Sequence, residues 1–271
     1  MPTASIKTEE ELSPEHIKAL TSFETRLLAT NSPDLYRELL AKAKELSPEH
    51  IKALTYLQAG WLATDSPKLY KELLAKAEKL SSEHIKALNS LDTAWLAKDC
   101  PESYKELLDK ADKLSPAQIK ELNFAWSLAA NSPESYKELL AKADKDKLSH
   151  EHIKVLNSSH TAWLAKDCPK SYRELLDKAD KLSPVQIKEL TSFETRTLAK
   201  NSPESYKELL DKAEELSHEQ IKALDSSWQL ATNSPESYKE LLHNALEAKG
   251  IENIDMDVAG GIDTNLALEG S

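Results

Sequence analysis

Glycine is scarce in this chain. Only five occur, and four of them (Gly250, Gly260, Gly261 and Gly270) fall in the last 22 residues, leaving Gly60 alone in the body of the sequence. That excludes a phosphate-cradling loop and a dinucleotide fingerprint, both of which need several glycines to bring backbone against ligand, and no nucleophile elbow appears. Long apolar runs are missing too, so the sequence offers neither a membrane span nor a cleavable signal peptide. The expected location is the cytoplasm, or outside the cell by a route that needs no cleaved leader. Basic residues are outnumbered, with 35 Lys and Arg against 46 Asp and Glu and a net charge of −11. A tight grip on a phosphate backbone needs the opposite balance.

What is present is repetition. The pattern L-S-x-x-[HQ]-I-K-x-L begins at Leu12, Leu46, Leu80, Leu114, Leu148, Leu182 and Leu216, a constant step of 34. A second pattern, [SC]-P-x-x-Y-[KR]-E-L-L, carries Pro33, Pro67, Pro101, Pro133, Pro169, Pro203 and Pro235. In the fourth and seventh repeats it arrives two residues early. Each pattern opens a helix: Ser13 is suited to the N-cap, Pro14 to the first turn and Glu15 to the positive end of the dipole. Gln118, Gln186 and Gln220 complete capping boxes with Ser115, Ser183 and Ser217. Ser132-Pro133-Glu134 is expected to start its helix in the same way. Eleven of the twelve prolines sit at such starts.

The later helix carries Tyr104, Leu107, Leu108 and Ala111, an i, i+3, i+4, i+7 stripe. The earlier one places Ile85, Leu88, Leu91, Trp95 and Leu96 on one arc. One helical pair cannot bury both stripes, whereas stacked neighbours bury them in a continuous core. The expected fold is therefore all-α, an α-solenoid of seven two-helix repeats over residues 12–247. Residues 1–11 form a lead-in, and residues 248–271 a non-repeat tail expected to be flexible.

Cys100 and Cys168 replace Ser at one position, two repeats apart. At a helix spacing near 10 Å their sulfurs lie roughly 20 Å apart, too far for a disulfide, so they read as substitutes at a cap. His16, His50, His84 and His152 recur once per repeat, too far apart to share a metal ion. Trp61, Trp95 and Trp163 share one helical position and are expected in the core. No catalytic residues, metal or cofactor are expected.

The repeats differ chiefly in the window after the first apolar stripe. One position there reads Glu24, Gln58, Asp92, Trp126, His160, Glu194 and Trp228, with Arg26 and Arg196 nearby. A carboxylate at the centre of an apolar arc is costly unless paired. Either this position faces a groove or the helix is interrupted before it. A fixed frame with one changing surface position suits a modular binder, and these residues are the candidate contacts. Beside them runs a lysine row, Lys18, Lys52, Lys86, Lys120, Lys154, Lys188 and Lys222. Each lysine either grips acidic groups or lays its stem over an apolar edge. Three residues beyond it a polar row, Thr21, Thr55, Asn89, Asn123, Asn157, Thr191 and Asp225, is expected to hydrogen-bond an extended ligand.

Two family resemblances follow. With Ile85 as first position, Leu88, Leu91, Trp95, Ala111 and Pro116 resemble the tetratricopeptide-repeat pattern, although Asp92 stands where that family prefers Gly and Tyr104 where it prefers Ala. The resemblance implies a right-handed superhelix whose first helices line a peptide-binding groove. The segment from Leu12 to Leu20 also resembles the opening of transcription activator-like effector repeats, and the variable residues fall at that family's base-reading positions. Its Gly-Gly is missing, however, and the first helix is expected to run on past this point. The leading expectation is a non-catalytic scaffold that binds a protein or peptide through the face formed by the first helices, with the variable window of each repeat setting specificity. The alternatives are modular nucleic-acid recognition and a structural or engineered array without a ligand.

Overall fold

A computed structural model describes residues 12–145 and 148–259. Those residues form α-helices joined by turns and short 3₁₀ segments, with no strand among them. The chain divides into two compact units, 1–180 and 181–271, and the division falls just before the sixth repeat of the sequence.

Each 34-residue period yields three helices, not the two expected. In the first they are Pro14–Leu20, Phe23–Asn31 and Pro33–Lys42, and in the third Ser82–Leu88, Leu91–Asp99 and Pro101–Lys110. The expected long first helix is cut in two beside the variable window. The eleven prolines all stand at the first residue of a helix, where a missing N–H leaves nothing unpaired.

The cut has a local cause. Ser22, Ser90, Ser158 and Ser192 have extended backbone, and each Oγ accepts from the backbone N–H of a threonine three residues on. This serine–threonine pairing starts a new helix where the apolar periodicity alone would have continued the old one. A cut leaves carbonyls without intrahelical partners, and the repeated residues supply donors to them. Thr93 Oγ1 donates to Ala87 O at 2.9 Å, and Asn123 Nδ2 from the next repeat donates to the same oxygen at 2.7 Å. The tyrosine of the second pattern serves the neighbouring carbonyl: Tyr70 Oη donates to Leu54 O at 2.8 Å, and Tyr104 Oη to Leu88 O at 3.2 Å. Burial pushes both phenols far above their ordinary pKa. They therefore stay protonated and remain donors.

The first pattern's His or Gln joins one repeat to the next. Its far nitrogen lies on the carbonyl of the following repeat's leucine: His16 Nε2–Leu46 O 2.8 Å, His50 Nε2–Leu80 O 2.7 Å, Gln118 Nε2–Leu148 O 2.7 Å. A carbonyl only accepts, so each histidine carries its proton on Nε2 and its Nδ1 accepts from the capping serine. Gln186 does the same with Oε1 and Nε2. That is why either His or Gln can occupy this position. Along the third helices, Lys71–Glu38, Lys137–Glu106 and Arg173–Glu138 pair neighbouring repeats.

Two further expectations change. The serine or cysteine before the third helix makes no side-chain cap bond at Ser32, Ser66, Cys100, Cys168 or Ser202. Cysteine therefore stands there without the loss of a cap bond, and neither cysteine forms a disulfide. The last helix spans Pro235–Ala259 and so runs on into the stretch expected, from residue 248, to be a flexible tail. The lead-in 1–11 and the tail beyond 259 lie outside the described residues.

Candidate interaction surface

The second helix of each period carries the variable position in or beside its first turn. Gln58, Trp126, His160 and Glu194 are exposed, and Glu24, Asp92 and Trp228 are half-buried. No carboxylate sits in the core here, because the helix is interrupted just before the position. Glu24 is the best defined: its own backbone N–H and the Ser22 hydroxyl hold its carboxyl below the ordinary range. Arg26 is exposed, and Arg196 is half-buried with its guanidinium 5.0 Å from the Phe193 ring centre.

The tryptophans do not pack in the core. Trp61, Trp95 and Trp163 remain 56, 51 and 46 % exposed. Cutting the first helix rotates everything after it, so Leu91 and Trp95 leave the arc held by Ile85 and Leu88 and face outward. Lys98 and Lys166 lie over Trp95 and Trp163, at 5.3 and 4.9 Å from the ring centres. Phe23, Leu57, Phe124 and Phe193 are exposed as well. Asp92 and Trp95, three apart, share a helix face, so the apolar residues border the variable ones. Sequence reasoning marked the variable position but missed the exposed aromatic side chains beside it. The signal that reveals them is the Ser-x-x-Thr spacing from Ser22 to Thr25, Ser90 to Thr93 and Ser158 to Thr161.

The lysine row, Lys18, Lys52, Lys86, Lys120, Lys154, Lys188 and Lys222, is exposed throughout. The polar row three residues beyond it is mostly not available to a ligand. Asn89, Asn123 and Asn157 are buried, and their amides donate to carbonyls of the preceding repeat, Ala53 O, Ala87 O and Glu121 O. Thr55 and Thr191 are buried and bond Ile51 O and Ile187 O, while Thr21 alone stays exposed. The buried asparagines and threonines of this row serve the broken helix and do not face a ligand.

Between the first two periods the rows converge. Lys18, Thr21, Glu24, Lys52 and Tyr56 line an open cleft of about 470 Å³. Among the described residues no group of His, Cys, Asp and Glu is placed to hold a metal ion, and no helix is long and apolar enough to cross a membrane. Comparison with protein-family models, with curated proteins and with solved structures finds no match in any of the three.

Proposed function

We propose that the chain is a non-catalytic scaffold, an α-solenoid of seven tetratricopeptide-like repeats, that binds a protein or peptide along the outer side of its second helices. One observation carries this reading. Apart from the lysine row, the recurring residues named above are spent on the core and on the cut helix, while the changing residues stand beside half-exposed aromatic side chains. Exposed aromatics bordered by polar groups are what binding sites offer, since they lose little entropy on contact. The lysine row supplies a polar margin. Display selection of random peptides on the full chain tests the reading. Enriched peptides are expected, and exchanging Asp92 and His160 changes which are enriched while leaving the melting temperature within about 2 °C. Failure to enrich any peptide, or enrichment indifferent to the exchange, overturns it.

A second reading, recognition of nucleic acid one unit per repeat, gains from the helix break directly before the variable position with lysines alongside. Glu24, Asp92 and Glu194 at that position oppose it, because a carboxylate repels phosphate. It predicts affinity for single- or double-stranded oligonucleotides that falls steeply with salt. Absence of retention at low salt in a filter assay removes it.

A further inference from the structure

In the unit spanning 1–180, five successive first helices each present one exposed lysine at the same register: Lys18, Lys52, Lys86, Lys120 and Lys154. Lys18 and Lys120 form no ion pair among the described residues. Lys52, Lys86 and Lys154 reach only the glutamate three residues earlier on their own helix, at 4.0, 2.7 and 3.8 Å. Such solvated pairs are weak and yield readily to a better anion. The cleft shared by Lys18, Lys52 and Tyr56 shows that neighbouring members of the row border one space.

The row has a built-in ruler. Packed helices lie about 8–10 Å apart, and here the bonds from His16, His50 and His84 to the next repeat's leucine carbonyl hold that register. An extended or polyproline-type peptide advances about 3.1–3.3 Å per residue, so three residues span one repeat. In a polyproline helix every third side chain also lies on one face. A helical ligand advances about 1.5 Å per residue and needs roughly six residues per repeat, which turns equivalent side chains off the shared face. A nucleic-acid strand carries a charge at each step of about 3.4 Å. It would set phosphates against Glu24 and Asp92, whereas a peptide charged at every third residue leaves neutral positions there.

Resting on the binding reading above, we propose that this edge takes an extended acidic peptide segment with a carboxylate at every third residue. The lysine row holds the carboxylates. The exposed rings of Trp61, Trp95 and Trp163 on the adjoining second helices cover the residues between, as aromatic grooves do for polyproline-type ligands.

Two rigid peptides test it on the full chain: Glu-Pro-Pro repeated five times, and Glu-Pro-Pro-Pro repeated five times, with a fifteen-nucleotide oligothymidine as a third probe. Affinity is read from tryptophan fluorescence and calorimetry at two salt concentrations. The three-residue ruler is expected to bind at least tenfold tighter than the four-residue one. The double variant Lys52→Ala/Lys86→Ala is expected to lose most of that difference with its circular dichroism unchanged. Equal binding of the two rulers, no binding of either, or tighter binding of the oligonucleotide overturns the proposal. Should display selection still yield peptides that respond to Asp92 and His160 but lack the three-residue period, the scaffold reading stands and this one alone fails.

Discussion

Tyr70 shows what the invariant residues are for. It is fully buried, and its hydroxyl reaches the Leu54 carbonyl that the helix break strands. Tyr70→Phe keeps the ring and removes the donor. It should cost about 1–3 kcal/mol, the usual penalty for a buried carbonyl left unpaired, read as a lower urea midpoint with unchanged slope. Asp225 is the residue that breaks the rule. Where Asn89, Asn123 and Asn157 donate to a carbonyl of the preceding repeat, Asp225 is buried and its Oδ2 meets Ser192 Oγ at 2.7 Å and Thr195 Oγ1 at 3.0 Å. Thr195 also lies 2.7 Å from Glu189 O, and its single proton cannot serve both oxygens. Burial raises the Asp225 carboxyl above its ordinary value, Glu194 and Glu189 add to the rise, and the two hydroxyls offset part of it. The folded state thus binds this proton more tightly than the unfolded chain does. The stabilisation is full below the ordinary aspartate pKa and is lost as pH rises through the raised one. Glu24 and Glu83, whose carboxyls are lowered, tilt stability the other way. The clean readout is therefore the difference between the parent and Asp225→Asn. The variant should gain in relative melting temperature from pH 4 to pH 7, and a constant difference would show that Asp225 titrates alike in both states.

At the scale of the element, the second helix is the part the sequence built with least redundancy. In the third repeat its start depends on Ser90, whose Oγ accepts from the Thr93 N–H and pairs with Thr93 Oγ1 at 2.9 Å. Ser90→Ala should lower stability by about 1 kcal/mol, within the usual range for a lost N-cap, measured by chemical denaturation. The second, fourth and seventh repeats lack this device: Gln58, Ala125 and Ser227 stand before their helices without a side-chain cap bond. The two-residue shortening in the fourth and seventh removes the serine–threonine pair and shortens the second helix to Trp126–Asn131 and Trp228–Asn233. The break survives in all of these, so the cap favours it without being its sole cause.

At the scale of the molecule, the links within the unit 1–180 join residues about one period apart. His16 to Leu46, Asn123 to Ala87 and Lys71 to Glu38 all connect adjacent repeats. The proposed solenoid would make stability a sum of unit and neighbour contributions. Deleting residues 80–113 removes one period and brings Leu114 to the register of Leu80, where His50 Nε2 finds an equivalent carbonyl. The shortened chain should keep its helical signal per residue and unfold at a lower denaturant midpoint. Collapse of the helical signal would mean that the periods are not interchangeable.

The sequence by itself determined the period, the helix starts at proline, the capping boxes and the buried stripe of Tyr104, Leu107, Leu108 and Ala111, because each rests on spacing within one helix turn or on one backbone preference. It also marked the variable position and the lysine row. Only the tertiary structure decided where the first helix stops, and with it which side of the second helix meets water. An apolar arc such as Ile85 through Trp95 reads as one face only while the helix is unbroken. The break is held by donors from elsewhere, a tyrosine 16 residues on and an asparagine 36 residues on. Periodicity cannot register partners at that distance, so the tryptophans read as core and the asparagines as surface. Folding reverses both, since a stranded carbonyl needs a buried donor more than a ring needs shelter.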